Sequence, residues 1–285
     1  MSNRNFKKVF SIGGNMPVNR VGFGAMRITG KGIFGPPSDR AEAIRVLQRA
    51  VELGVNFIDT ADSYGPNVSE ELIAEALYPY PAGLVIATKG GLERPGPDVW
   101  TQNASPEHLE KVLNGSLKRL KLDAIDLYQL HRIDAKIPFE KTFEFLQKAQ
   151  TAGKIKHIGL SEVTVDQIKK AKEYFEVVSV QNMYSVDNRK WEEVLDYSTR
   201  GNIAFIPWYP LNAGNVKSIE VLKEVAAKHK VTPQQIALSW LLHRAGNILL
   251  IPGTSKVAHL EENVKVAAIQ LTDADLQQLD ILQTA

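Results

Sequence analysis

Short apolar runs recur along this chain and alternate with stretches of helical period. The runs begin near Val21, Phe57, Leu84, Ile125, Lys156, Val178, Ile203 and Ile248. Between most of them apolar residues return every third or fourth position, as on the buried face of a helix. Strands alternating with helices indicate βα units and a parallel sheet. Eight such units close a barrel, for which about 250 residues is typical. The 285 residues here therefore predict one α/β domain over residues 1–285, a (β/α)8 barrel.

Local signals fill in the elements. Ser69 stands before EELIAEAL as a candidate N-cap, Ser105-Pro106-Glu107 opens a helix, and Thr232-Pro233 and Thr272-Asp273 open two more. Leu109, Val112, Leu113, Leu117 and Leu120 form one apolar stripe. Residues 9–18 place two short runs around Gly13-Gly14-Asn15 and read as a β-hairpin closing the bottom of the barrel. Gly90–Ser105 and Asn212–Ser218 read as long irregular loops on the opposite face.

Three of the apolar runs end in residues that handle protons: FIDTADSYG in Asp59 and Tyr64, LVIATKG in Lys89, and IDLYQLH in His131. The C-terminal strand ends of a barrel converge on the face that carries activity. Singly, Asp59 can cap a turn, Tyr64 can pack one, Lys89 can be a solvated strand end and His131 a structural histidine. Together on one face they can protonate a carbonyl while a hydride arrives.

Composition narrows the partners. Lys+Arg 34 against Asp+Glu 32 gives a net charge of +2, too small to draw nucleic acid or an anionic membrane. With no cysteine, disulfide scaffolds and thiolate chemistry are excluded. Of the six histidines, at 108, 131, 157, 229, 243 and 259, only His131 falls on the active face, so no metal site is expected. There is no signal-peptide core and no apolar run near the roughly 18 residues of a membrane span. The expectation is a cytoplasmic, monomeric protein acting on a small molecule.

The segments GFGAM, FIDTADSYG, ATKGG, IDLYQLH, IKHIGLSE, SVQNMY, WYPL and IPGTS followed by HLEEN resemble the aldo-keto reductases over nearly the whole chain, with some likeness to the pyridoxal-reductase branch. The resemblance implies NADPH, or NADH in its place, bound at the barrel mouth without a dinucleotide-fold fingerprint. Gly22-Phe23-Gly24 lacks the third glycine of that fingerprint and reads as close packing at the first strand end. It further implies that Tyr64 is the general acid, with its pKa lowered by Lys89, and that Asp59 holds Lys89 while His131 orients the carbonyl. Ser161, Glu162 and Gln181 would meet the nicotinamide carboxamide and Trp208 its ring, with Gly24, Met26, Pro210 and Leu211 along the cofactor. Gly253, Thr254, Ser255 and Lys256 would take phosphate, and His259, Glu262 and Asn263 the adenosine. Glu162 in place of the family's Asn adds charge near the ring and would favour the oxidised, cationic cofactor, while His259 in place of Arg and Gly253 in place of Lys loosen the expected choice of NADPH over NADH. Trp100, Met26, Arg27 and Arg132 are candidates for the pocket wall and rim, with pyridoxal a candidate substrate. A cofactor-binding regulator like the potassium-channel β-subunits is the alternative reading.

Overall fold

The computed structural model describes residues 7–211 and 219–282; the expected loop at 212–218 lies outside them. The chain opens with an antiparallel pair, β1 (Val9–Ile12) and β2 (Met16–Asn19). Gly13 and Gly14 turn it at φ of 58° and 77°, values open to glycine at little cost. Next come β3 (Phe23–Gly24), α1 (Arg40–Glu52), β4 (Phe57–Asp59), α2 (Val68–Leu77) and β5 (Val85–Gly90). An antiparallel pair follows, β6 (Leu92–Gly96) and β7 (Val99–Gln102), then α3 (Pro106–Leu120), β8 (Ile125–Leu130) and α4 (Phe139–Thr151). The rest is β9 (Ile155–Ser161), α5 (Val165–Ala171), β10 (Val177–Gln181), α6 (Glu192–Arg200), β11 (Ala204–Phe205), α7 (Glu220–His229), α8 (Pro233–Arg244), α9 (Val257–Lys265) and α10 (Asp273–Asp280).

Seven strands form one parallel sheet in the order β11-β10-β9-β8-β5-β4-β3. The eighth position closes the ring through isolated parallel bridges, Ile248 to Phe205 and Leu250 to Val21. Leu249 N donates to Phe205 O at 2.9 Å, and Gly22 N to Leu250 O at 2.8 Å. The expected strand near Ile248 is thus present as bridge pairs rather than a ladder. Gly246 and Pro252 bracket it and leave few residues to pair. The closure is tight. A Cβ on Gly22 would lie 2.7 Å from Phe57 O, and one on Gly24 2.5 Å from Ile251 O, which supports packing as the reason for these glycines.

Strand periodicity builds the interior. Ile58, Ile86, Tyr128, Leu130, Leu160 and Val180 face the helices and join the main core. Phe57, Val85, Ala87, Leu127, Val178, Ala204 and Leu249 point into the barrel, where Ile12 and Val18 of the hairpin join them. The hairpin therefore fills the barrel floor. Higher in the barrel, the inward positions become polar: Asp59, Lys89 and Gln129 follow Phe57, Ala87 and Leu127 by two residues.

Two expectations change. The segment read as an irregular loop after Gly90 holds the β6–β7 hairpin, turning at Pro97 and Asp98, the latter at φ 56°. Proline and glycine punctuation hides its alternation, in which Leu92 and Arg94 are buried while Glu93 and Pro95 are exposed. Ser69 does not cap α2. Asn67 holds that position, and the buried Ser69 hydroxyl donates to Ala25 O at 3.0 Å and meets Thr60 Oγ1 at 2.7 Å. Ser105, Thr232 and Thr272 do cap their helices.

Ile12→Ala empties part of the barrel floor. Deleting a fully buried Ile side chain costs about 2–5 kcal/mol, read from urea unfolding. A change below about 0.5 kcal/mol, the size of a surface substitution, would show that the hairpin does not support the barrel.

Candidate active site

Asp59 and Lys89 end neighbouring strands, and both side chains are buried in the barrel. Lys89 Nζ donates to Asp59 Oδ1 at 2.6 Å and to Thr60 O at 2.8 Å. Asp59 Oδ2 accepts from Gln129 Nε2 at 3.0 Å and from Gln181 Nε2 at 2.9 Å. A buried ion pair is tolerated when its remaining lone pairs and protons are satisfied, and the two glutamine amides do that here. Burial opposes the charge on Lys89, but Asp59 and Tyr64 outweigh it and hold its pKa above the ordinary ammonium value.

Tyr64 sits on the turn after β4, and its hydroxyl lies 3.4 Å from Lys89 Nζ. The expectation that Lys89 lowers its pKa is corrected. Burial raises the phenol above its ordinary value, and Lys89 offsets only part of that. His131 follows β8 with its ring edge-on to Tyr64, centroids 5.9 Å apart. Ser63 Oγ is 3.4 Å from His131 Nδ1. Burial, then the charges of Lys89, Arg132 and Arg94, push the imidazole pKa well below its ordinary value. The site therefore pairs a neutral phenol and a neutral imidazole with a charged lysine.

These groups lie at the floor of a cleft of about 1160 Å³. Tyr64, Asp59, His131, Ser161, Gln181 and Trp208 line one part of it, and Gly24, Met26, Pro210, Leu211, Gly253, Thr254 and Ser255 line another. Trp100 forms a further wall, edge-on to Tyr64 at 6.3 Å and to His131 at 6.4 Å.

The sequence matches the Aldo/keto reductase family over residues 20–284. The chain belongs to the aldo/keto reductase family. It is 54% identical over 268 residues to an uncharacterized oxidoreductase of Schizosaccharomyces pombe, covering 94% of this chain and 87% of that one. It is 44% identical over 273 residues to the pyridoxine 4-dehydrogenase of Escherichia coli, covering 94% and 96%. Its structure resembles that of a glycerol dehydrogenase from Gluconobacter oxydans with a TM-score of 0.88 at 25% identity, covering 96% and 94%.

Several expected cofactor residues in this aldo/keto reductase already have partners. Gln181 gives its amide to Asp59. Ser161 Oγ donates to Gln181 O at 2.8 Å and accepts from Arg132 at 2.9 Å. Glu162 does not line the cleft. Its Oε1 accepts from Met183 N and from Trp208 Nε1, each at 2.6 Å, so the carboxylate expected beside a carboxamide instead fixes the Trp208 indole. Lys256, His259 and Glu262 are exposed along α9, with Asn263 half-buried, and all four lie outside the cleft wall. At the N-terminus of α9, Val257 N donates to Glu42 Oε1 at 3.2 Å. A carboxylate from α1 thus already occupies part of the anion seat expected there.

Three residues escaped the sequence reading. Gln129 carried a usable signal, since it stands two positions before His131 on the inward side of β8. Arg94 and Glu42 carried none, because the β6–β7 turn and helix packing bring them in. Arg94 donates to Val99 O at 2.9 Å, Gly32 O at 2.7 Å, Ile33 O at 2.8 Å and Ser63 O at 3.3 Å. Its guanidinium lies 3.6 Å over the Trp100 ring. One side chain thus ties the hairpin to the Tyr64 turn and holds Trp100 in the wall.

The His131 ring is expected to stay neutral on acidification to about pH 6, where a free imidazole is largely protonated. Its pKa is depressed in the fold, so its contribution to stability is present above the unfolded pKa and is lost as pH falls through the folded one. Imidazole ¹⁵N shifts across pH 8 to pH 5 check this, and a His131 midpoint at or above the ordinary value would contradict it.

Proposed function

We propose that this aldo/keto reductase acts as one barrel domain that uses NADPH to reduce an aldehyde or ketone reversibly, with Tyr64 as the proton donor. The observation that carries this reading is the Tyr64 hydroxyl 3.4 Å from Lys89 Nζ on the floor of the cleft, with His131 beside it. When bound, the cofactor supplies a hydride from its nicotinamide C4 to the carbonyl carbon. The residues of the chain then do the rest. Tyr64 gives its proton to the carbonyl oxygen, and burial favours the phenol form that holds this proton. Lys89 stabilises the phenolate left behind, while Asp59 and Thr60 O keep the ammonium in place. Neutral His131 donates a hydrogen bond to the same oxygen and fixes its direction. Positioned acid catalysis of this kind contributes about 10²–10⁴-fold, and orientation supplies much of the remainder.

The cleft fits such a cofactor. At about 1160 Å³ it exceeds the roughly 300–1,000 Å³ of a small-ligand pocket. It runs from the Tyr64 floor, past the Trp208 ring, to the segment Gly253–Ser255. Ser161, Gln181 and Trp208 would surround the nicotinamide, with Gly24, Met26, Pro210, Leu211, Gly253, Thr254 and Ser255 beside the phosphates. Lys256, His259, Glu262 and Asn263 would meet the adenosine end. Pyridoxal is the substrate we favour. A 44% identical relative is named for acting on pyridoxine, and the Trp100 and Trp208 walls suit a planar ring.

Loss of NADPH absorbance against an aldehyde panel containing pyridoxal tests the reading. Tyr64→Phe is expected to lose about 10²-fold or more in kcat while still binding NADPH. Unchanged turnover in Tyr64→Phe would remove Tyr64 as the donor. Glu42→Gln addresses cofactor choice. Removing the carboxylate beside Lys256 and the α9 amides is expected to tighten NADPH about two- to fivefold, the effect of one charge near a helix end, while NADH changes less. Equal shifts for both cofactors would show that Glu42 does not sense the 2′-phosphate.

A further inference from the structure

Among the described residues Arg132 has no carboxylate in ion-pair contact, and the Glu162 charge reaches it only from a distance. Arg132 follows His131 directly and lines the cleft. Its Nη1 donates to His131 O at 2.6 Å and to Ser161 Oγ at 2.9 Å. Its Nε and Nη2 make no hydrogen bond among the described residues. No described carboxylate comes within the 4.0 Å of an ion pair. The carboxylates that could serve are engaged elsewhere. Asp59 is held by Lys89 and two glutamines, and Glu162 by Trp208 and Met183. Asp98, the other carboxylate in the cleft wall, sits by Gly32 at the hairpin turn. A guanidinium taken partly out of water without a contacting counter-charge is unfavourable, and burial weakens its hold on the proton by more than the Glu162 charge restores. Three of its five donors remain available on a planar fork that suits an oxyanion.

Two further features say what the missing anion is attached to. The guanidinium lies over the Trp208 ring at 5.7 Å, and Trp100 stands edge-on to Tyr64 and His131. Both indoles line the cleft beside Tyr64 and His131 and offer aromatic surface to a flat ring. His131, the neighbour of Arg132 in the chain, faces Tyr64. A carbonyl oxygen held by Tyr64 and His131 would therefore have Arg132 close on one side. We propose that Arg132 is a specificity-determining residue that receives an ionised oxygen adjacent to the reacting carbonyl, so that the preferred substrates are planar aryl aldehydes with an ortho hydroxyl. This rests on the carbonyl-reductase reading and deepens it. Pyridoxal belongs to this class, since its ring hydroxyl is ortho to its formyl group, but the class is wider.

The test compares three aldehydes with NADPH: salicylaldehyde, its O-methyl ether, which cannot ionise, and benzaldehyde. The wild type is expected to favour salicylaldehyde over the ether by about tenfold or more in kcat/KM, a floor well below the roughly 10⁴–10⁵-fold that a fully buried polar recognition site can reach. In Arg132→Gln that ratio is expected to fall to about one. Arg132→Lys keeps the charge without the fork, and its ratio is expected to fall between the two. The Kd of NADPH is measured for every variant. A wild type with no preference for salicylaldehyde, or an Arg132→Gln protein that keeps the preference, overturns the proposal. A variant that weakens NADPH and leaves the ratio intact also overturns it, because the missing anion is then the cofactor's, while the reductase reading stands. A wild type that binds NADPH and reduces none of the three aldehydes overturns the reductase reading and the proposal together.

Discussion

A lysine ammonium and an aspartate carboxylate lie 2.6 Å apart inside the barrel, the lysine fully buried and the aspartate nearly so. Burying two charges this way costs several kcal/mol per ion unless each is fully paired. The rest of the interior meets that condition. Gln129 and Gln181 come from two other strands to satisfy the second carboxylate oxygen, and Thr60 O takes a lysine proton. All these groups must sit at one height in the barrel, so strand register decides whether the pair is stable. A slip of one residue would turn Lys89 or Gln129 outward and leave a charge unpaired.

The same arrangement sets the chemistry of the cleft. Below the pair, the interior is apolar and sealed by the Ile12 and Val18 hairpin. Above it, Tyr64 and His131 inherit a largely buried site near the positive charges of Lys89, Arg132 and Arg94. That environment keeps the imidazole and the phenol uncharged at rest. It also favours negative charge developing on an oxygen held between them, which is the electrostatic requirement for carbonyl reduction. In the proposed mechanism, the electrostatics that hold Lys89 in the protein are therefore continuous with those that would act on a substrate.

The wall of the cleft depends on a different device. A barrel offers rigid strand ends, but the substrate side must be built by the loops. Here β6 and β7 form a short hairpin, and Arg94 ties it to the turn that carries Tyr64. Trp100 stands in the wall because Arg94 stacks on its face. Trp208 is held in a comparable way by Glu162, whose own φ of 55° is uncommon for a residue with a side chain. Two aromatic walls are thus each fixed by one charged side chain that itself makes no obvious appeal as a ligand.

What the sequence alone determined was whatever repeats locally. Alternation along the strands set which residues enter the barrel, and the 3.6-residue period set which helix faces cover it. Caps at Ser105, Thr232 and Thr272 were legible because an N-cap is satisfied within three residues of itself. Asp59, Tyr64, Lys89 and His131 were legible because each ends, or closely follows, a recognisable strand. The tertiary structure decided what depends on partners far along the chain. Ser69 looked like a cap until Ala25 and Thr60 claimed its hydroxyl. Tyr64 was expected to lose its proton readily beside Lys89, but burial, a property of the whole fold, outweighs that one neighbour. Glu162 has no local partner that explains it, and Glu42, though paired with Arg45 one turn on, gives its other oxygen to a distant amide; their roles come from Trp208 and Val257. Arg132 is the same case in reverse, since only a folded cleft can reveal that no described carboxylate pairs directly with it.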